Sequence, residues 1–261
     1  MTIIETGMCY NENCLDTMAK MPDGFIDLTV TSPPYDNLRT YNGYSFDFEA
    51  VAKELYRVTK QGGVVVWVVG DATIKGSETG TSFRQALFFK ECGFNLHDTM
   101  IWDKKSQACH DYRNRRYKQE YEYMFILSKG KPKVYNEIKD RPVKNAGKII
   151  RKSSKRNSDG SIRKYPEIKL GEFQARSNVW YYEPERRSEH PAPFPEQLAN
   201  DHIISWSNEG DLVYDPFMGS GTTAKMAILN KRNWIGSEIS EEYCDIIEKR
   251  VSSVDIKGEL F

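Results

Sequence analysis

Five consecutive residues, Thr31-Ser32-Pro33-Pro34-Tyr35, bring together the groups needed to act on an aromatic amine. The apolar run before them, Phe25 to Val30, predicts a buried strand. The two prolines end that strand, because neither has an N–H to donate and both fix φ at about −65°. This segment, the proline corner, therefore presents the Ser32 hydroxyl and backbone carbonyls as acceptors beside the ring of Tyr35.

The chemistry that suits the proline corner is attack by a conjugated exocyclic amine. Such an amine is a poor nucleophile because its lone pair is delocalised into the ring. Two acceptors on its N–H bonds favour a tetrahedral nitrogen and stabilise the developing positive charge, while an aromatic face holds the base by stacking. We therefore predict catalysis at Ser32, Pro33, Pro34 and Tyr35. The alternative, a proline-rich turn with a packed tyrosine, is disfavoured by a second motif.

The second motif is the glycine loop, Asp215-Pro216-Phe217-Met218-Gly219-Ser220-Gly221-Thr222-Thr223, which follows a predicted strand at 212–214. A helix over 224–229 and a strand over 233–237 come next, ending at Glu238. The glycines let the backbone approach a ligand, and the helix N-terminus attracts a negative group. Glu238 follows Gly219 by 19 residues, at a strand end where its carboxylate can accept from ribose hydroxyls. These features predict a nucleoside site.

Two other nucleotide sites are disfavoured for the glycine loop. Residues 219–224 fit the dinucleotide pattern G-x-G-x-x-A, but only 23 residues follow Glu238, too few for a second mononucleotide half in the usual order. A phosphate-binding P-loop fits less well, because Gly-Lys-Ser/Thr does not occur. A glycine-rich turn without a ligand is the remaining alternative.

With both motifs, the chain resembles the β-group of amino-group DNA methyltransferases, which use S-adenosylmethionine. The proline corner matches the family's (D/N/S)PP(Y/F) motif, and the glycine loop matches its FxGxG motif with Phe217, Gly219 and Gly221 in register. His190-Pro191-Ala192-Pro193-Phe194-Pro195 resembles a segment that flanks the cofactor. Asn13-Cys14-Leu15 resembles a segment usually written Gly-Asp-Cys that touches the adenine, with Asn13 replacing its aspartate.

The resemblance implies a Rossmann-like α/β fold with a seven-stranded, mostly parallel sheet. Residues 1–128 would form the catalytic half, 129–187 a basic target-recognition insert, and 188–261 the cofactor-binding half. The two motifs would meet at the carboxyl ends of the strands, and the target base would flip into the pocket. The implied cofactor-binding residues are Asn13, Cys14, Thr31, Phe194, Asp215, Phe217, Gly219, Ser220, Gly221, Thr222, Thr223 and Glu238.

Charge is distributed unevenly although the formal net charge is zero. Residues 129–187 carry 17 Lys and Arg against 7 Asp and Glu, whereas the remainder carries 20 against 30. A basic insert in an acidic frame predicts a polyanionic partner, with nucleic acid as the leading candidate, rather than only a solvated charged loop. The resemblance implies that this partner is double-stranded DNA. The predicted DNA-binding residues are Arg113, Arg115, Arg116, Arg151, Lys152, Lys155 and Arg156.

Ser32 also bears on the target base, because serine at this position is usual in family members that act on cytosine, and aspartate in those that act on adenine. We therefore expect N4-methylation of cytosine in DNA, for restriction-modification or epigenetic marking. Methylation of adenine N6, or of an amide or RNA base, at the same corner is one alternative. A catalytically silent DNA-binding module is another, against which the intact Ser32, Tyr35, Gly219, Gly221 and Glu238 argue.

Composition limits the compartment and the partners. Five cysteines without a CxxC pair indicate reduced thiols and a cytoplasmic location. Cys92, His97, Cys109 and His110 have no usual zinc spacing, so no metal is expected. The N-terminus lacks a signal peptide's pattern, and the longest apolar run, 64–69, is too short to span a bilayer. A cognate restriction endonuclease is a candidate partner, and a monomer or homodimer is expected.

Overall fold

The computed structural model describes residues 4–34, 47–105, 115–151, 154–163, 167–184 and 195–254. The chain divides into two compact units. The larger comprises Met1–Asn136 and Asn178–Phe261, and the smaller comprises Glu137–Ser177. The smaller unit lies within the segment predicted as a basic insert, 129–187.

Sixteen strands and six helices are formed by the described residues. The helices are α1 (Cys14–Ala19), α2 (Phe48–Val58), α3 (Thr81–Glu91), α4 (Glu196–Trp206), α5 (Thr222–Leu229) and α6 (Glu241–Ser252). The strands are β1 (Met8–Tyr10), β2 (Ile26–Thr31), β3 (Thr59–Val69), β4 (Thr73–Ile74), β5 (Ser77–Glu78), β6 (Asn95–Asp103), β7 (Tyr121–Ser128), β8 (Lys139–Pro142), β9 (Ile149–Arg151), β10 (Lys155–Arg156), β11 (Ile162–Arg163), β12 (Glu167–Lys169), β13 (Phe173–Ala175), β14 (Val179–Tyr181), β15 (Leu212–Asp215) and β16 (Asn233–Ser237).

The larger unit is built on one sheet with the strand order β1-β16-β15-β2-β3-β7-β6-β14. Among the described strands of this sheet, only β7 is antiparallel to the rest, since it pairs antiparallel with both β3 and β6. The prediction of a mostly parallel α/β sheet is confirmed, but the described sheet has eight strands rather than seven. The edge strands β1 and β14 are three residues each, too short to give a clear alternation in the sequence.

The strand order reverses between β15 and β2. From β2 the chain passes through α2 to β3 on one side, whereas from β15 it passes through α5 to β16 on the other. The two strands are parallel neighbours, with Tyr214 opposite Thr29. Their carboxyl ends therefore lie about 4.8 Å apart at one edge of the sheet, which is where α/β proteins bind ligands.

The helices cover the sheet because their apolar residues share one face. In α2, Val51, Ala52, Leu55 and Val58 are all buried, and the Asp47 carboxylate caps the helix by accepting from Ala50 N–H at 3.1 Å. Helix α4 has the predicted bounds, 196–206. None of the described helices has the length and apolar content that crossing a bilayer requires.

The smaller unit consists of three antiparallel two-stranded ladders, β8 with β13, β9 with β12 and β10 with β11. The turn between β10 and β11 contains Gly160 at φ +83° and an Asp159 carboxylate that accepts from Ser161 N–H at 2.9 Å. Residues 137–177 carry 12 Lys and Arg against 5 Asp and Glu. The unit is therefore a small, strongly basic body with little core of its own.

Trp67 joins the core to the sheet edge that carries the two motifs. It is fully buried in β3, opposite Thr31 of β2. Its ring packs edge-on against Phe89 and Phe217 at centroid distances of 5.0 and 6.3 Å. Its indole N–H donates to the buried Gln85 Oε1 at 2.8 Å. The side chain thus supports the strand that lies behind the proline corner.

We expect Trp67→Phe to lower the free energy of unfolding by roughly 2–4 kcal/mol, because packing volume is lost and Gln85 Oε1 loses its indole donor. Chemical denaturation measures this change. Gln85→Leu should cost less in the Trp67→Phe background than in the wild type. Equal costs in both backgrounds would show that the indole–amide hydrogen bond contributes nothing.

Candidate functional site

A buried carboxylate, Asp215, connects the proline corner to the glycine loop. The Thr31 hydroxyl at the end of β2 donates to Asp215 Oδ1 at 2.6 Å, and the Thr223 hydroxyl in α5 donates to Oδ2 at 2.7 Å. Phe217 N–H also donates to Oδ1, at 3.0 Å. Asp215 is 1% exposed, so these bonds form away from water. The predicted meeting of the two motifs at the sheet edge is therefore confirmed.

Burial sets the proton affinity of Asp215. Loss of water around the carboxylate raises its pKa from 3.8 to about 6, although the donors from Thr31, Thr223 and Phe217 oppose that rise. The charge of Glu238 adds a smaller upward contribution. The proton on Asp215 is thus held more tightly in the folded chain than in the unfolded chain.

Glu238, at the end of β16, is oriented by backbone donors on both oxygens. Gly219 N–H donates to Oε2 at 2.8 Å, and Ser240 N–H donates to Oε1 at 2.9 Å. Burial raises the pKa of this half-buried carboxyl. Each carboxylate oxygen accepts more than one hydrogen bond, so Glu238 retains capacity for two ligand hydroxyls.

The glycine loop needs its glycines at two positions. Gly219 and Gly221 have φ of +54° and +83°, in the left-handed region that side chains rarely adopt. A Cβ on Gly221 would also lie 3.2 Å from Ile247 Cγ1. Gly221 caps α5 without a side chain. The loop therefore offers bare backbone and an uncapped helix N-terminus next to Glu238, which fits the carboxylate and the ribose of S-adenosylmethionine.

Two other predicted cofactor-binding residues, Asn13 and Cys14, contribute to the local structure of α1 and to the core. Asn13 caps α1, with its Oδ1 accepting from Leu15 N–H at 2.9 Å. Cys14 is 6% exposed within the hydrophobic core, and burial raises the pKa of its thiol to about 12. Contact of these residues with the adenine stays a prediction. The remaining loop side chains, Ser220 and Thr222, are buried.

A charged cluster that the sequence analysis missed braces the glycine loop. Arg250 in α6 donates through Nη1 to the carbonyl and the hydroxyl of Ser220, at 3.0 Å each, and pairs through Nη2 with Glu196. Lys225 also pairs with Glu196, at 2.7 Å. Glu196 begins α4 and Arg250 lies near the end of α6. Glu196 and Arg250 are 54 positions apart, so no local sequence pattern could have shown that they pair.

The proline corner follows β2 directly. Ser32 and Pro34 are half-buried and Pro33 is buried. The predicted residues Tyr35, Arg113, Lys152 and Phe194 lie outside the described residues, so the corner is seen only as far as Pro34.

The predicted DNA-binding residues are spread over both units. In the larger unit, Arg115 is exposed, and Arg116 donates to Glu78 Oε1 and to the Gly76 carbonyl, both at 2.9 Å. In the smaller unit, Arg151 belongs to β9, and Lys155 and the exposed Arg156 form β10. Within the described part of the chain, no group of three His, Cys, Asp or Glu is arranged to hold a metal ion. Cys109 and His110 lie outside that part.

The chain belongs to the DNA methylase family of N6/N4 amino-methyltransferases, whose model matches residues 26–249. It is 59% identical over 241 residues to the orphan methyltransferase M.BamHII of Bacillus amyloliquefaciens, covering 88% of this chain and 90% of that protein. Among solved structures, PvuII DNA methyltransferase (cytosine-N4-specific) superposes with a TM-score of 0.69 at 22% identity, covering 95% and 87% of the two chains. The M1.HpyAVI–SAM complex has a TM-score of 0.61 at 22% identity, covering 93% and 98%.

Family membership confirms the predicted amino-methyltransferase assignment and S-adenosylmethionine as the cofactor. The structural likenesses confirm the methyltransferase fold. The match to the family spans both the proline corner and the glycine loop. Asp215 and Glu238 both lie within the residues that match the family model, and their roles at a cofactor site stay predictions.

The raised pKa of Asp215 gives a signed pH dependence of stability. The folded chain binds the Asp215 proton more tightly than the unfolded chain does. Protonation of Asp215 therefore stabilises the folded state fully below about pH 4, and this stabilisation is lost as the pH rises through about 6. Between pH 4 and pH 7 the wild type should lose roughly 2 kcal/mol of unfolding free energy relative to Asp215→Asn. Denaturant unfolding at several pH values measures this difference.

Asp215→Asn is the matched reference because it keeps the shape of the side chain and removes its titration. Carboxyl groups that do not interact with Asp215 titrate equally in both proteins and cancel in the comparison, and the interaction with Glu238 adds only a smaller contribution. A difference that stays constant from pH 4 to pH 7, or that changes in favour of the wild type as the pH rises, would contradict the burial of an ionised Asp215.

Proposed function

We propose that this methyltransferase transfers a methyl group from S-adenosylmethionine to the N4 amine of cytosine in double-stranded DNA. The observation that carries the proposal is the hydrogen bond from Thr31 to Asp215, which holds the proline corner beside the glycine loop. A base at Ser32, after β2, and a cofactor along the glycine loop, after the neighbouring strand β15, would then meet at one edge of the sheet.

The cofactor would lie along the glycine loop. Glu238 would accept from the ribose hydroxyls, since both of its oxygens are already aligned by backbone donors. The N-terminus of α5 would face the carboxylate of the amino-acid end. When bound, S-adenosylmethionine supplies an electrophilic methyl group on a positively charged sulfur.

The proline corner would activate the target amine. The Ser32 hydroxyl and the Pro33 carbonyl would accept its two N–H bonds, which localises the lone pair on nitrogen. Tyr35 would stack on the flipped base, and such stacking is worth roughly 1–3 kcal/mol, comparable to part of the cost of flipping. The nitrogen gains the methyl group and releases one proton, so acceptors at the N–H bonds assist both changes.

Two observations support cytosine over adenine. The corner carries serine at position 32, which in this family is usual for cytosine. PvuII DNA methyltransferase, a neighbour in fold at 22% identity, is named as cytosine-N4-specific. Methylation of adenine N6 at the same corner remains the alternative. A silent DNA-binding module is disfavoured because Ser32, Gly219, Gly221 and Glu238 are all present.

The basic unit, residues 137–177, is the proposed surface for DNA phosphates. Arg151, Lys152, Lys155 and Arg156 would make these contacts, with Arg113, Arg115 and Arg116 as the alternative set. M.BamHII is named an orphan methyltransferase, and by that likeness a dedicated nuclease is not required here. A partner endonuclease, a monomeric or homodimeric state and a cytoplasmic location stay predictions.

Mass spectrometry of nucleosides from a plasmid expressing the protein tests the proposal. We expect N4-methylcytosine with the wild type. Ser32→Ala should slow transfer by roughly 10²-fold, since it removes an acceptor that matters most as charge develops, while leaving S-adenosylmethionine affinity unchanged by calorimetry. N6-methyladenine would select the alternative base, and DNA without any new methylated nucleoside would select the silent module.

A further inference from the structure

An exposed hairpin, β4–β5, projects from the sheet edge that carries the proline corner. β3 is the parallel neighbour of β2, with Thr31 opposite Trp67. Three residues separate the end of β3 at Val69 from the start of β4 at Thr73. Because parallel strands end at the same edge, the hairpin and Ser32 lie on one side of the sheet.

The base of the hairpin is fixed to α3. The Asp71 carboxylate accepts from Ser82 N–H at 3.0 Å and from the Thr79 hydroxyl at 3.3 Å. Thr79 N–H closes the hairpin by donating to the carbonyl of the buried Ala72 at 2.9 Å. The hairpin is therefore a defined projection rather than a loose connection.

The tip presents an apolar side chain to water. Ile74 pairs with Ser77 across a two-residue turn in which Lys75 and Gly76 have φ of +48° and +81°. Such tight turns stiffen a hairpin, and lysine adopts the left-handed region only at a cost. Ile74 is 54% exposed. The tip thus combines a lysine in the left-handed region with an exposed isoleucine.

Arg116 braces the hairpin from its other side. Its guanidinium donates to Glu78 Oε1 and to the Gly76 carbonyl. The ion pair compensates the one acidic residue of the hairpin. On either side of Arg116, Arg115 is exposed and Tyr117 is fully exposed. Exposed apolar, aromatic and cationic side chains side by side are the chemistry of a nucleic-acid surface.

We propose that the β4–β5 hairpin contacts duplex DNA beside the flipped nucleotide, with Ile74 packing against the opened base stack and Lys75 contacting a phosphate. Apolar side chains on stiff elements are known to enter opened base steps, where they offset the loss of stacking. The charge of Lys75 and Arg115 complements the duplex. This inference rests on the proposed function, because it assigns the hairpin to the same base-flipping event.

The test compares single-turnover methylation of two duplexes that carry the methylated sequence found on the plasmid. One duplex is fully paired, and the other has a mismatch opposite the target base. Ile74→Ala should slow methylation of the paired duplex about tenfold, corresponding to about 1.4 kcal/mol of the flipping cost. On the mismatched duplex, whose target is already unpaired, the rate should change less than about twofold.

Leu87→Ala is the matched control, since Leu87 is 58% exposed on α3 and belongs to neither the hairpin nor the site. It should leave both rates unchanged. Equal slowing of Ile74→Ala on both duplexes, or slowing on neither, would overturn the assignment of Ile74. Thermal unfolding of each variant identifies any loss of folding, which would slow both duplexes alike.

A binding measurement separates this inference from the proposed function. A plot of the logarithm of duplex affinity against the logarithm of salt concentration has a slope that reports phosphate contacts. Lys75→Gln should reduce that slope by about one unit, whether or not methylation occurs. An unchanged slope overturns the phosphate contact of the hairpin. A wild type that binds duplex DNA but methylates neither substrate overturns the proposed function, and the salt slope still decides whether the hairpin contacts DNA.

Discussion

The site depends on one buried carboxylate that accepts hydrogen bonds from two different strand–loop units. Asp215 lies between Thr31, the first residue of the proline corner, and Thr223, the last residue of the glycine loop in the first turn of α5. A buried carboxylate without donors would be very costly, so the donors and the acceptor constrain one another. The positions of the two motifs are therefore linked through Asp215.

This constraint works because of the strand order. β15 and β2 are parallel neighbours at the point where the chain turns to opposite sides of the sheet, which is where α/β sheets usually bind ligands. Glu238, at the end of β16, accepts a hydrogen bond from Gly219 N–H in the glycine loop, and Arg250, which pairs with Glu196, donates to the Ser220 carbonyl of the same loop. The two prolines restrict the backbone of the proline corner, so the proposed base-holding groups at Ser32 and Pro33 would need little reorganisation.

Much of this arrangement follows from local sequence. The bounds of α4, the strand before each motif and the adjacency of the motifs were predictable, because turn residues and apolar runs specify strand ends and parallel strands align them. The hydrogen bond from Arg250 to the Ser220 carbonyl was not predictable, because charge alone does not show which distant residues pair. Arg116 as a hairpin brace was missed for the same reason, since its partner Gly76 is 40 positions away. The Asn13 cap on Leu15 N–H is a local signal, but the resemblance assigned Asn13 to the cofactor instead.

The measurement that tests the link most directly is a double-mutant cycle between Thr31→Val and Asp215→Asn. Single-turnover methyl transfer from labelled S-adenosylmethionine supplies the rates. If the hydrogen bond couples the corner to the loop, Thr31→Val should slow transfer in the wild type and have little further effect beside Asp215→Asn, with a coupling of roughly 0.5–3 kcal/mol. Fully additive effects would show that Thr31 and Asp215 act independently and would contradict the account.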